Sequence, residues 1–170
     1  MPRGIRSLVL LVAVALLAAP SALAGSRDGS LEESVLRQIN VVRRDHGLQP
    51  LAFSPKLTAA ALEHTNEMGA DGYFAHESLD HSAFWKRLRR WYPSSGQSYW
   101  TVGENLLWWS PDIGPAAAVT MWMNSPEHRA NLLGRSWQEI GLSAVHFDAA
   151  PGTFGGRAVT IITADFGARH

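Results

Sequence analysis

The chain has 170 residues, with 15 basic and 15 acidic side chains and no cysteine. This length suggests one domain that is large enough to bury a sizeable core. The balanced charge lacks the basic excess of a nucleic-acid-binding protein, and a chain without cysteine must be stabilised by its core rather than by disulfides.

The N-terminus has the pattern of an export signal. A basic start precedes an apolar run from Leu8 to Leu17, and Ala22-Leu-Ala24 supplies the small residues of a cleavage site. We predict a signal peptide over residues 1–24 and a secreted protein, extracellular or periplasmic, that meets the membrane only through this segment. The alternative is an uncleaved anchor, although the run is short for a bilayer span. Cleavage leaves 13 basic and 15 acidic residues, a net charge near −2.

The first part of the mature chain is predicted to be a linker followed by a helix. Residues 25–30 are short and polar, and we expect no regular structure there. Ser30 and Glu33 form a capping box, which predicts a helix over Leu31–His46 that ends at Gly47. Its apolar stripe is predicted at spacings of four, four and three, at Leu31, Val35, Ile39 and Val42.

Three further helices follow from proline positions and apolar periodicity. Ser54-Pro55 begins a helix over Pro55–Met68, whose His64 is predicted to be a partly buried, hydrogen-bonded histidine rather than a ligand. Asp80–Leu88 is predicted to be amphipathic, with Lys86–Arg90 as a solvated face. A helix over Ile113–Trp122, capped by Ser110-Pro-Asp112, is predicted to face inward at Ala116, Val119, Thr120 and Met123.

Two segments near the C-terminus are the clearest strands. Ile140–Phe147 and Ala158–Phe166 are rich in β-branched residues and roughly alternate. Pro151-Gly152 and Gly155-Gly156 lie between them, so an antiparallel hairpin with a long loop is predicted. Helices that precede most of the strands favour an α+β layered fold over a doubly wound one.

Three polar motifs supply the candidate functional residues. They are Tyr73-Phe-Ala-His-Glu-Ser78, Gly103-Glu-Asn-Leu-Leu107 and Trp122-Met-Asn-Ser-Pro-Glu-His-Arg-Ala-Asn-Leu-Leu133. Each holds a polar side chain beside apolar anchors, which is how a functional group is fixed in place. The side chains that we predict to bind a ligand are His76, Glu104, Asn105, His128 and Arg129. A serine hydrolase is disfavoured because the chain lacks a G-x-S-x-G motif.

In this order and spacing the motifs resemble the CAP superfamily (cysteine-rich secretory proteins, antigen 5 and pathogenesis-related 1), specifically its cysteine-free bacterial branch. The resemblance covers about Leu31 to Gly167 and assigns the CAP domain to residues 31–170. It implies a three-layer α-β-α sandwich with a central antiparallel sheet. It also implies that His76, Glu104 and His128 converge in one cleft.

Two imidazoles and one carboxylate can bind a divalent cation such as zinc with one position open, so His76, Glu104 and His128 are the predicted metal ligands. The family pattern adds a second acid, which in this chain falls near Ser125 and is absent. Glu127 is the nearest acid, and we therefore expect weak metal binding at most. The role of a further imidazole, His81, is left open.

A structural interpretation of the same residues is also open. In it, Glu104, Asn105 and Asn131 organise the loops through hydrogen bonds to backbone groups. Arg129 then pairs with Glu104 or with Glu139.

The favoured function is that of a secreted binding module. Its cleft is expected to take an extracellular or envelope ligand, which is a lipid, a peptide or a glycan. One alternative is a metal-dependent hydrolase that acts on peptide or cell-wall bonds with Glu104 as ligand or base. The other is a non-catalytic structural or interaction domain.

Overall fold

A computed structural model describes residues 25–170, and the predicted signal peptide lies outside this range. The helices of this part are α1 (Gly29–Asp45), α2 (Pro55–Asp71), α3 (Phe84–Trp91), α4 (Pro115–Asn124) and α5 (Pro126–Leu132). The strands are β1 (Ser26–Arg27), β2 (Ala52–Phe53), β3 (Trp100–Trp109), β4 (Glu139–Ala150) and β5 (Arg157–Arg169). Within the described residues, no helix combines the length and the apolar character that a membrane span needs.

The sheet is built on the predicted hairpin. β4 and β5 pair antiparallel from Glu139 opposite Gly167 to Ala150 opposite Arg157. β3 pairs antiparallel with β5, and β1 with β4, which gives the order β1-β4-β5-β3. The two residues of β2 pair parallel with β4. β3 therefore forms one edge of the sheet.

Helices cover both faces of the sheet, which confirms the predicted three-layer α-β-α architecture. On one face, Ile162 packs in a core with Trp122 and other residues of α1, α4 and α5. On the other face, Ile161 packs with Met68 of α2. Successive side chains of a strand point to opposite faces, so the alternating apolar residues of β5 supply both cores.

The predicted linker over residues 25–30 was wrong. β1 pairs with β4, and α1 begins directly after Asp28. The helix is capped by Asp28 rather than by Ser30, since Asp28 Oδ1 accepts a hydrogen bond from Leu31 N–H at 2.9 Å. Ser30 Oγ donates to the same oxygen at 2.7 Å. A sheet edge and an earlier capping residue thus order this segment.

The helix predicted from Ile113 begins two residues later, at Pro115. Ser110-Pro-Asp112 does not cap it, because Gly114 is the residue before its first turn and Pro115 takes the first helical position. The buried face also differs from the prediction, since Ala116 and Thr120 are exposed. The buried residues are Ala118, Val119 and Trp122.

Arg43 of α1 is not part of the predicted apolar stripe, yet it is buried. Its guanidinium donates to three backbone oxygens, those of Gln49 at 2.9 Å, Leu132 at 2.8 Å and Gly134 at 3.0 Å. The buried charge is thereby hydrogen-bonded. Arg43 holds the end of α5, and with it the Trp122–Leu133 motif, against α1.

Candidate functional site

Glu104 lies on the edge strand β3 and is the centre of the site. Its side chain is only 1 % exposed. One carboxylate oxygen, Oε1, lies 2.7 Å from His76 Nδ1, and the other accepts a hydrogen bond from Arg87 Nη2. Both oxygens of the carboxylate are therefore engaged by side chains from outside the sheet.

Arg87 of α3 is a site residue that the sequence prediction missed. It was assigned to a solvated helix face, but its side chain is 1 % exposed and forms an ion pair with Glu104. Its Nη1 group also donates to Ser78 Oγ at 3.1 Å and to the His76 carbonyl at 3.4 Å. One signal was present in the sequence: Arg87 lies three residues after Phe84, and residues three apart share a helix face.

His76 is the member of this cluster that solvent reaches, because its side chain is 48 % exposed. The hydrogen bond to Glu104 raises the pKa of His76, and burial opposes that rise in part. A carboxylate accepts only, so Nδ1 carries the hydrogen. Nε2 is left for a ligand, as an acceptor in the neutral ring and as a donor in the protonated ring.

Asp165 of β5 is a second residue that the sequence prediction missed. It lies directly opposite Glu104 in the β3–β5 pairing and is fully buried. Burial, and then the neighbouring Glu104 carboxylate, raise the pKa of Asp165 well above its ordinary value. The site thus has two carboxyl groups, of which the deeper is held towards its neutral form. The available signal was a single acid within a strand made mostly of apolar residues.

His128 lies on α5, beside the cluster rather than within it. Its backbone carbonyl accepts a hydrogen bond from Asn105 Nδ2 at 3.0 Å. Burial and the charge of nearby His76 lower the pKa of the His128 ring. No hydrogen bond joins this ring to His76 or Glu104 in residues 25–170.

The Gly103–Leu107 motif is fastened to α5 by amide side chains. Asn131 Nδ2 donates to the Glu104 carbonyl at 3.0 Å and to Asn105 Oδ1 at 2.9 Å. Asn105 is fully buried, so its amide serves the structural role and does not reach the cleft. Arg129 is exposed. It does not pair with Glu104, whose partner is Arg87.

Glu139, the second proposed partner of Arg129, also binds other residues. It accepts a hydrogen bond from the Tyr92 hydroxyl and lies 4.0 Å from Arg169, so it is not the partner of Arg129.

Three further residues named in the sequence analysis are Glu127, His81 and His64. Glu127 is exposed on the first turn of α5. His81 is exposed with a φ of 61°. His64 is fully buried, more than the partial burial that was predicted. Its Nε2 lies 2.8 Å from the Ala75 carbonyl, which agrees with the predicted hydrogen-bonded role.

A cleft of about 500 Å³ opens beside the His76–Glu104 pair. Two aromatic side chains line it, Phe84 of α3 and Trp137 of the loop before β4. Trp137 Nε1–H donates to the Asn131 carbonyl at 2.9 Å, which fixes the indole. The residues that line the cleft are His76, Glu77, Phe84, Val102, Gly103, Glu104, Asn131 and Trp137.

These residues do not fit the predicted divalent metal. Within the described part of the chain, no three histidine or carboxylate side chains lie close enough together to hold one ion. Arg87 already neutralises Glu104 and occupies one of its oxygens. A second cation at this carboxylate would face the repulsion of the guanidinium. The side chain that joins the His76–Glu104 pair is thus an arginine, and not the second acid of the family pattern.

Comparisons with known proteins identify the family. The family model described as "CAP: Cysteine-rich secretory protein family" matches residues 36–160. Uncharacterized protein YkwD of Bacillus subtilis is 31% identical over 122 residues, which are 72% of this chain and 45% of that protein. The chain spans less than half the length of the curated relatives it matches.

Solved structures agree on the fold. An extracellular protein containing a SCP domain from Bacillus anthracis superposes with a TM-score of 0.63 at 25% identity, over 82% of this chain and 40% of that chain. An outer surface protein from Borrelia burgdorferi gives a TM-score of 0.71 at 20% identity, over 86% of this chain and 99% of that chain. The sequence motifs, the three-layer fold and the family match lead to one conclusion: the chain belongs to the CAP, or cysteine-rich secretory protein, family.

Proposed function

We propose that the chain is a secreted binding module whose cleft takes an extracellular or cell-envelope ligand without a metal ion. The observation that carries this proposal is the series Arg87–Glu104–His76. Two buried, paired charges hold a half-exposed imidazole at the cleft. A group held from behind in this way is pre-organised for a ligand.

Binding is favoured over hydrolysis by the surroundings of His76. A nucleophilic enzyme needs a hydroxyl or thiol within hydrogen-bond reach of its base. In residues 25–170, the hydrogen-bond partner of the His76 ring is Glu104, and the nearby Ser78 hydroxyl is bonded to Arg87 instead. A metal-dependent hydrolase requires three converging donors, and residues 25–170 do not supply them.

Secretion is supported by two independent observations. The first 24 residues have the basic start, apolar run and small residues of a signal peptide. Two solved structures of this fold are named as an extracellular protein and as an outer surface protein. A cell-envelope ligand is the class that such a location makes accessible.

The test is co-sedimentation of the secreted protein with isolated bacterial cell walls. We expect saturable retention, and His76→Ala should weaken it about tenfold, the loss of roughly 1.4 kcal/mol of contact energy. The matched control is His46→Ala, which removes an exposed imidazole at the end of α1. Equal retention of the wild type and both variants would count against the cleft as a binding site. Retention of none of these proteins would count against it too.

A further inference from the structure

We infer that the ligand of this cleft is a neutral oligosaccharide. The inference rests on the proposed binding function and names the chemistry of its ligand. It depends on which charges, hydrogen-bonding groups and apolar surfaces the cleft leaves free.

The charges of the cleft do not match an anionic ligand. Arg87 is the cation closest to Glu104, but it is buried and committed to that carboxylate. The exposed Glu77 adds a negative charge to the lining. A phosphate or a carboxylate would thus meet a carboxylate and one imidazole, without a free guanidinium or ammonium among the lining residues. Anion sites in proteins use such groups or helix N-termini.

The free polar groups of the cleft can form hydrogen bonds with the hydroxyl groups of a ligand. Asn131 Nδ2 is occupied by two acceptors, whereas Asn131 Oδ1 accepts no hydrogen bond from the described residues and is not buried. His76 Nε2 and the Glu77 carboxylate are also available. An acyl chain would leave these groups without partners, at a cost for each. Sugar hydroxyls both donate and accept, so they can satisfy all three.

The apolar side chains that line the cleft are two aromatic rings and one aliphatic residue, Val102. Phe84 and Trp137 line it together with the polar residues His76, Glu77, Glu104 and Asn131. A sugar ring presents C–H groups on its faces and hydroxyl groups at its edges. Its faces can therefore pack on a flat aromatic ring while its hydroxyls bind the neighbouring polar groups. Gly103 leaves room for the Trp137 indole beside β3, because a Cβ on Gly103 would lie 2.9 Å from the indole.

A peptide is disfavoured because the edge of β3 is blocked. The Glu104 carbonyl accepts from Asn131 Nδ2, and the Leu106 carbonyl accepts from Trp122 Nε1 at 3.1 Å. Alternate residues of a strand present their backbone groups to the same side, so these two carbonyls belong to one edge. Side chains therefore occupy acceptors that an added peptide strand would need.

The experiment is a ¹H–¹⁵N NMR titration of the secreted protein with two soluble probes, maltotetraose and an N-acetylglucosamine tetramer. We expect at least one of them to shift the Gly103 amide and Trp137 indole signals saturably, with a Kd on the order of 1 mM or tighter. Gly103→Ala should weaken this binding about tenfold by displacing Trp137. Its control, Gly114→Ala, adds a methyl group where nothing lies within 4 Å.

Phe84→Leu provides a second variant, because it removes the ring and keeps an apolar side chain at a partly buried position. Weaker binding by this variant is expected even if Gly103→Ala fails to fold. Absence of any shift with both sugars, while cell walls still retain the protein through His76, would overturn the sugar assignment and leave the binding function standing. Loss of retention as well would overturn both. Binding of a capped tetra-alanine peptide at the same signals, without the sugars, would identify a peptide site instead.

Discussion

The Arg87 guanidinium on α3 and the Glu104 carboxylate on β3 form an ion pair in which each side chain is 1 % exposed. Two buried charges lose their hydration, and their attraction offsets that loss only when both are present. The pair therefore acts as a unit. It fixes α3 against the sheet edge and holds the carboxylate whose other oxygen meets His76.

Arg87→Met should accordingly lower the free energy of unfolding by about 3–5 kcal/mol, since it leaves Glu104 buried without its partner. The double variant Arg87→Met with Glu104→Gln should recover part of that loss. Urea denaturation measures both. Arg90→Met is the control, because Arg90 pairs with Glu63 at the surface and such pairs contribute about 1 kcal/mol or less. A loss of similar size in the control would refute the buried-pair explanation.

Asp165→Asn should change how stability depends on pH. The folded-state pKa of Asp165 is raised by burial and by Glu104, so its contribution is fully present below the unfolded pKa of about 3.9 and is lost as pH rises through the folded pKa. The variant should match the wild type in acid and become more stable than it at higher pH. Urea denaturation at a series of pH values tests this, with exposed Asp148→Asn as control. Parallel pH curves for wild type and Asp165→Asn would contradict the assignment.

The two imidazoles should influence each other. His76 lowers the pKa of His128 by charge repulsion, so His76→Ala should raise the pKa of His128. Glu104→Gln should lower the pKa of His76, because Glu104 is the main cause of its rise. NMR titration of the imidazole signals measures both. The control His46→Ala should leave the pKa of His128 unchanged. An unchanged pKa of His128 in His76→Ala as well would mean that the rings of His76 and His128 lie too far apart to share a ligand.

Zinc should give no stoichiometric binding in calorimetry of the wild-type protein. The reason is geometric and electrostatic: in residues 25–170 no three donors converge on one point, and Arg87 already sits on Glu104. Structural zinc sites bind with apparent free energies of about 10–16 kcal/mol, so such a site would be unmistakable. One zinc bound per chain, lost in His76→Ala, would restore the metal interpretation.

The elements of this fold were largely predictable from local sequence. Proline at the first helical position marks α2, and alternating β-branched residues mark β4 and β5. These signals depend on residues that are close together in the chain, so they can be identified without knowledge of the fold. The motifs likewise located His76 and Glu104, because each lies in a segment with strong apolar anchors.

The partners of those residues were decided by tertiary structure. Arg87 belongs to a basic run that is ordinarily solvated, and only the packing of α3 against β3 turns it towards Glu104. Asp165 became a site residue through the register of β5 against β3. The same packing places His128 beside the cluster, so His128 does not share an ion site with His76 and Glu104 in residues 25–170. Periodicity indicates which face of an element is buried, but not which distant charge lies opposite it, since that depends on contacts between segments far apart in the chain.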